Sequence, residues 1–352
     1  MTVNDDARTR VALVFGGQSS EHGVSCLTAR EIFKVIDQQR YSVQPIGITT
    51  DGRWVAETTD WPDVAGQLPY VRADRPPVAW DSIRDYDVVF PVLHGPWGED
   101  GTVQGFLEMA GVRYVGAGVL ASAVCMDKPF TKTLFSTAGL PQLPHVTMQP
   151  GQWENDWNRT SARIAALGMP VFVKPARAGS SSGVTCVEQI EDLEPAIAVA
   201  REFDPKVIIE ASARGRRELE CGVLQQPDGT ALASVVGEIT VEDAEPGEFY
   251  DFESKYLDGT GVNIVPADIP VSVRDKIRRY AIQAFESLNC EGLARVDFFL
   301  TDDGLVINEI NTMPGFTPFS MFPRLWEASG VPYAELVDRL LQLAAGRPTG
   351  LR

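Results

Sequence analysis

Two hydrophobic runs that each end in a glycine-rich loop constrain this chain more than any other feature. Arg10–Phe15 leads into Gly16-Gly17-Gln18-Ser19-Ser20-Glu21-His22-Gly23-Val24-Ser25, and Val88–Leu93 leads into His94-Gly95-Pro96-Trp97-Gly98-Glu99-Asp100-Gly101. Short apolar runs closed by glycine predict buried strands. Between them, Leu27, Ile32, Phe33 and Ile36 recur at helical spacing through Cys26–Ile36, and Val43–Ile48 predicts another strand. Strands alternating with helices imply a mainly parallel sheet, whose functional loops sit at the carboxyl ends of the strands.

The chain has 352 residues, too many for one small core, so two or three domains are expected. We divide it near 118 and 210. Residues 119–210 carry a helical pattern over Met126–Ala138, punctuation at Pro141 and Pro144, and strands at Val171–Lys174 and Lys206–Glu210. The last third is richer in antiparallel pairs: Glu218–Leu224, Ala231–Ile239, Ala294–Leu300 and Leu305–Ile310. Its long helix, Val273–Leu288, places Ile277, Ala281, Ala284, Phe285 and Leu288 on one face. Asp51–Asp85, rich in Pro, Asp and Trp, reads as an insertion or long connection without further assignment.

A formal net charge of -17 argues against nucleic acid or an anionic membrane as partner, since both attract cationic faces. It also means that any phosphate site must concentrate cations locally, a task suited to a divalent metal. The five cysteines are odd in number and far apart, which matches neither a disulfide framework nor a zinc pattern. Met1–Arg10 lacks the apolar centre of a signal peptide, and no apolar run approaches a membrane span. A cytoplasmic protein is the expectation.

The strongest chemical signal is the pair Arg295-Val296-Asp297 and Glu309-Ile310-Asn311. Alternate residues of a strand share a face, so Arg295 points with Asp297, and Glu309 with Asn311. A three-residue loop at Asp302–Gly304 would set Asp297 opposite Glu309 and Arg295 opposite Asn311. Two carboxylates and an amide oxygen are hard ligands that hold Mg²⁺ against phosphates. A solvated hairpin face is the bland alternative, but Val296, Phe298, Phe299, Val306 and Ile307 make this hairpin strongly apolar.

A second signal is Val171-Phe172-Val173-Lys174-Pro175 followed by Gly179-Ser180-Ser181-Ser182-Gly183. Backbone amides and hydroxyls of such a loop can wrap phosphate oxygens, and Lys174 supplies a point charge. The spacing is neither a P-loop nor G-x-G-x-x-G. By itself this segment is equally an edge strand protected by lysine and proline. Glu21, near a helix start, is either a partner for a substrate ammonium or a carboxylate favouring the helix dipole. His94 is open between a capping or core role and a functional one.

Together these segments resemble the D-alanine–D-alanine ligase family of the ATP-grasp superfamily, most closely its actinobacterial members. The motifs are F-G-G-Q-S-S-E-H-G-V-S, H-G-P-W-G-E-D-G, M-D-K-P-F-T-K, F-V-K-P-A-R-A-G-S-S-S-G-V, Y-D-F-E-S-K-Y and N-E-I-N-T-M-P-G-F-T, in order along nearly the whole chain. The resemblance implies an α/β ATP-grasp fold: a substrate-binding parallel α/β domain (1–118), a central domain (119–210) and a catalytic domain (211–352), the latter two sandwiching ATP. It implies ATP-dependent formation of D-alanyl-D-alanine through a D-alanyl phosphate, with release of ADP and phosphate, for peptidoglycan precursors. Two Mg²⁺ ions, replaceable by Mn²⁺, and a homodimer are implied too.

The resemblance also assigns residues. Lys128 and Lys174 would contact ATP phosphates with Ser180 and Ser181, beside Phe172 and Asn308. Residues 210–213, through Glu210, Ala211 and Ala213, would meet the adenine, and Glu218 the ribose. Asp297, Glu309 and Asn311 would hold the metal, and Lys255 would reach the γ-phosphate from a mobile loop, Gly247–Gly261, that closes over ATP. Arg295 and the backbone N–H near Gly315 would stabilise the oxyanion. Glu21 would bind the first substrate's ammonium with His94 nearby, and Ser320 the second substrate's carboxylate. Ser180 and Tyr256 would link with Glu21 to close the loop.

Three departures stand out. Trp97 replaces a tyrosine, Ser182 replaces an apolar residue in the phosphate loop, and Arg214–Arg217 is one residue longer than usual, which leaves Glu220 as an alternative to Glu218. Among rivals, an ester-forming D-alanine–D-lactate ligase differs in the loop carrying Tyr256, and Ser254-Lys255-Tyr256 matches the dipeptide type. A regulatory protein with a dead site conflicts with Lys128, Lys174, Arg295, Asp297, Glu309 and Asn311 all being present. A nicotinamide-dependent dehydrogenase is disfavoured because the chain carries no G-x-G-x-x-G after the first strand.

Overall fold

The structure is a computed structural model that describes residues 7–59, 67–213, 215–241 and 261–350. Its first sheet comprises β1 (Thr9–Gly16), β2 (Tyr41–Ile48), β3 (Trp54–Ala56), β4 (Val88–Pro91) and β5 (Arg113–Tyr114), in the order β3-β2-β1-β4-β5. β2, β1, β4 and β5 pair in parallel, and β3 adds an antiparallel edge. β3 lies within the connection left unassigned from sequence, which also bridges back through Val55 and Pro77. β1 is buried from Val11 to Gly16, as a strand covered on both faces should be.

α1 (His22–Val35) starts four residues before the expected Cys26, with Glu21 at the N-cap position. α2 (Thr102–Ala110) follows β4 and ends at Gly111, whose φ of 69° supplies the left-handed stop. The single helix expected over Met126–Ala138 is two, α3 (Val119–Met126) and α4 (Lys128–Thr137). Asp127 between them is extended, and its carboxylate accepts from the Phe130 amide at 3.2 Å. That cap outcompetes continuation of the helix. Lys206 donates to both Asp127 oxygens at 2.7 Å and fixes the break.

The second sheet is antiparallel, ordered β6-β9-β7-β8, from β6 (His145–Met148), β7 (Val171–Pro175), β8 (Thr185–Val187) and β9 (Val207–Ala211). α5 (Gln152–Asn155), α6 (Trp157–Ala165) and α7 (Leu193–Phe203) accompany it. The cut drawn near 210 falls inside β9.

The third sheet is also antiparallel, ordered β12-β11-β10-β13-β14: β10 (Arg217–Gln225), β11 (Ala231–Val241), β12 (Gly261–Ile264), β13 (Leu293–Thr301) and β14 (Gly304–Asn311). α8 (Val271–Ser287) buries Ile277, Ala281, Ala284 and Phe285 on it, with Leu288 just beyond, the face read from sequence. α9 (Met321–Ala328) and α10 (Tyr333–Gly346) return to the first sheet, where Phe322, Trp326, Leu336 and Leu340 join Phe15 and Phe90 in one core. Each such buried side chain contributes on the order of 2 kcal/mol, so this tail holds the first and third sheets together. The segment between β14 and α9 is thereby pinned against the loops that follow β1 and β4.

Candidate active site

The β13–β14 hairpin sets Asp297 opposite Glu309 and Arg295 opposite Asn311, by a route other than the expected one. The turn is one residue shorter: Thr301 already pairs with Gly304, and the register stays one short through Phe298 and Ile307. A bulge at Asn308 restores the missing residue. Without it Asp297 would face Asn308, and Glu309 would point to the other side of the sheet. Bulges re-aim side chains beside functional sites, and this one aims a carboxylate.

On the shared face, Arg295 forks onto Asp297 with two hydrogen bonds of 2.7 Å, and the Asn311 amide donates to Asp297 at 3.0 Å. Arg295 also meets Glu220 at 3.0 Å. Burial works against charge on the guanidinium, but Asp297 and Glu220 prevail and hold its pKa above the usual value. Lys128 lies 3.9 Å from Glu309 and donates to the Ala178 carbonyl at 2.7 Å, joining this hairpin to the glycine–serine loop after β7. Asp297, Glu309 and Asn311 therefore offer hard oxygen donors beside fixed cations, a set that fits a small divalent ion keeping some of its own waters and phosphate ligands. No group of three or more His, Cys, Asp or Glu side chains arranged for a metal occurs among the described residues.

Glu21 forms a second centre. Ser180 donates to its carboxylate at 2.5 Å. Gly95 and Gly179 crowd the same carboxylate so closely that a Cβ at Gly95 would stand 2.8 Å from it, and one at Gly179 3.1 Å. Three loops thus meet at Glu21 because two of them lack side chains there. Ser180 and Ser181 adopt left-handed φ values of 48° and 57°, a strain that L-residues tolerate mainly where geometry serves a function. Burial keeps His94 neutral by lowering its pKa, and its Nδ1 contacts the Met313 carbonyl at 3.0 Å.

Both centres open on one cleft of about 310 Å³, lined by Glu21, His94, Lys128, Lys174, Ser180, Ser181, Glu218, Arg295, Asp297, Asn308, Glu309, Asn311, Gly315 and Ser320. The cleft wall does not include Phe172, Glu210, Ala211 or Ala213. The Glu210 side chain is occupied elsewhere, paired at 2.6 Å with both Lys132 and Lys174. Burial alone would raise its pKa, yet the two lysines hold it far below the usual carboxylate range. Any contact of residues 210–213 with a base thus falls to their backbone. Lys255 and Tyr256 lie outside the described residues.

Of the two alternating carboxylates on β10, Glu220 is buried against Arg295, whereas Glu218 is a third exposed and touches Arg216 at 3.0 Å. That division favours Glu218 as the group facing a ligand. Sequence reasoning passed over Lys132, Glu99 and the role of Glu220. The period-two spacing of Glu218 and Glu220, and the one-turn spacing of Lys128 and Lys132, were the available signals.

The comparisons decide the family. A family model described as D-ala D-ala ligase N-terminus matches residues 10–117, and one described as D-ala D-ala ligase C-terminus matches residues 134–342. The chain belongs to the D-alanine–D-alanine ligase family. It is 52% identical to a D-alanine–D-alanine ligase of Mycobacterium sp. (strain KMS), with 98% of each chain covered. Among solved structures, the VanG D-Ala:D-Ser ligase of Enterococcus faecalis matches with a TM-score of 0.80 and 33% identity, covering 96% of this chain and 99% of that one. The D-alanine–D-alanine ligase of Coxiella burnetii matches with a TM-score of 0.74 and 32% identity, covering 96% and 94%. The fold is the ATP-grasp fold of these ligases, and the family is ATP-dependent. No helix among the described residues is long and apolar enough to cross a membrane.

Proposed function

We propose that this enzyme joins two D-alanine molecules into D-alanyl-D-alanine, converting ATP to ADP and phosphate, and so supplies a peptidoglycan precursor. The observation that carries the reading is the meeting, in one cleft, of the Asp297–Glu309–Asn311 face with Lys128, Lys174 and the Ser180–Glu21 contact. One end of that cleft suits a nucleotide triphosphate, and the other suits a small zwitterion.

In this reading the γ-phosphoryl group passes to the carboxylate of the first D-alanine, giving an acyl phosphate. The amine of the second D-alanine attacks that carbonyl, loses a proton, and the tetrahedral intermediate expels phosphate. Such transfers depend on positioning and charge neutralisation more than on covalent chemistry by the protein. Lys128 and Lys174 neutralise phosphate oxygens, and Arg295 with the Gly315 amide faces the oxyanion. Mg²⁺ held by Asp297, Glu309 and Asn311 would supply further charge neutralisation along the phosphates. Glu21 takes the first ammonium, and Ser180 fixes the Glu21 carboxylate. Ser320 caps α9, whose positive end favours the second substrate's carboxylate. By the family resemblance, Lys255 reaches the γ-phosphate and Tyr256 completes the network with Glu21 and Ser180. A cytoplasmic homodimer completes the proposal.

Hydroxylamine trapping tests the intermediate. With ATP and D-alanine the enzyme should yield D-alanyl hydroxamate, and L-alanine should yield none. Equal trapping from both enantiomers, or phosphate release without hydroxamate, would overturn the acyl-phosphate route.

A further inference from the structure

Glu99 lies in the wall of the active cleft, partly buried, and no ion pair with it occurs among the described residues. Burying a carboxyl without a cation is costly, so its placement calls for a reason. Its close partner is backbone: Glu99 accepts from the Gly95 amide at 2.7 Å, while its own amide donates to the Gly95 carbonyl at 3.1 Å. Both backbone groups of Gly95 are thus held by one residue, and the turn from His94 to Glu99 is closed.

That turn joins two parts of the site. The Ser19 hydroxyl donates to the His94 carbonyl at 2.7 Å, which ties it to the loop carrying Glu21. On the other side His94 Nδ1 meets the Met313 carbonyl, two residues before Gly315. The Met313 amide also lies near enough to Glu99 to favour its ionised form. The charged and titratable groups facing Glu99 are Glu21 from the first loop, Cys125 from α3 and Lys128 from α4.

We propose that Glu99 is a positioning residue, which closes the 94–99 turn and thereby fixes the distance between the first-substrate carboxylate Glu21 and the oxyanion-binding backbone at Gly315. The inference rests on the roles assigned above to Glu21 and Gly315. It requires a hydrogen-bond acceptor of this length at position 99, and it does not require a charge. Burial, with Glu21 acting in the same direction, pushes the Glu99 carboxyl up to about 8, so near neutrality it is largely protonated and Gln is its close mimic.

The test compares Glu99→Gln, which keeps the reach and loses the charge, with Glu99→Asp, which keeps the charge and loses the reach. Displacing reacting groups by about 1 Å costs on the order of 10²-fold in rate. Glu99→Asp should therefore lose about that factor in kcat, and should bind a D-alanine phosphinate analogue correspondingly less tightly. Its affinity for a non-hydrolysable ATP analogue should stay within about twofold of wild type, because the nucleotide groups do not hang on this turn. Glu99→Gln should remain within about fivefold of wild type in kcat, with an unchanged KM for ATP. The reverse ranking, equal losses in both variants, or wild-type rates in Glu99→Asp would overturn the inference. Failure of the underlying reading would appear instead in the wild-type protein, as absence of D-alanine-dependent phosphate release.

Discussion

Asp297 stands directly opposite Glu309, although the chain between them turns in two residues and the regular register would have paired Asp297 with Asn308. The bulge at Asn308 corrects the parity, so both carboxylates and Asn311 share one face. Inserting one alanine between Asn308 and Glu309 should turn Glu309 away from the cleft and reduce ATP use at least about 10³-fold, while the apolar hairpin still folds. Asp297→Asn should weaken Mg²⁺–ATP use far more than it lowers the melting temperature, since the group holds charge rather than packing. Isothermal titration with Mg²⁺–ATP beside thermal melts checks both. An active insertion variant would show that this parity is incidental.

Glu210 lies between Lys132 and Lys174, and removing its charge leaves two buried cations facing each other. Glu210→Gln should destabilise the protein by about 3–5 kcal/mol in denaturant unfolding at neutral pH. The folded carboxyl is held below its usual value near 4.5, so its contribution is present above that pH and fades as acid protonates it. The gap between variant and wild type should accordingly narrow below about pH 4.5. A gap that stays constant into acid would mean that packing, not charge, is what Glu210 provides.

For Glu99 the sign is the opposite. Its folded pKa is raised from 4.5 to about 8, so between those values the folded state keeps a proton that the unfolded chain has released. Stability derived from that proton falls as pH rises through the window. Wild-type protein should lose melting temperature relative to Glu99→Gln from pH 5 to pH 8. His94, held neutral in the fold, takes up a proton on unfolding in acid, but it does so in both proteins and cancels in the difference. Parallel melting curves across the window would contradict the raised value.

The first sheet and α8 were legible because period and burial coincide there, and the metal-facing pair was legible because alternate residues of a strand share a face. The helix break at Asp127 and the bulge at Asn308 were not. The bulge depends on Asp297, far away in sequence, whereas the break also had a local mark, the cap Asp127 two residues before Pro129, which the apolar spacing over Met126–Ala138 masked. Glu99 was overlooked because an acidic residue in a glycine-rich loop reads as solvated until burial is known. Motif resemblance named Glu210 for the adenine site, yet the two lysines that occupy its side chain come from β7 and α4.

Tyr256 enters through family resemblance as the phenol that orders Glu21 and Ser180. A hydrogen-bonding site rejects an analogue strongly because its own buried groups go unpaired. Tyr256→Phe should therefore raise the share of D-alanyl-D-lactate formed when D-alanine and D-lactate compete. The share should rise further at low pH, where the attacking amine is protonated and the hydroxyl is not. Mass spectrometry of the two products reads the ratio, and a mutant ratio equal to wild type would remove Tyr256 from this role.

The most direct measurement is phosphate release from ATP with D-alanine alone and then with L-alanine, D-serine and D-lactate offered beside it, each product identified by mass. The account predicts D-alanyl-D-alanine as the main product at neutral pH, with D-alanine required for turnover and little ester formed. A main product of D-alanyl-D-lactate or D-alanyl-D-serine, or turnover on L-alanine without D-alanine, would contradict it.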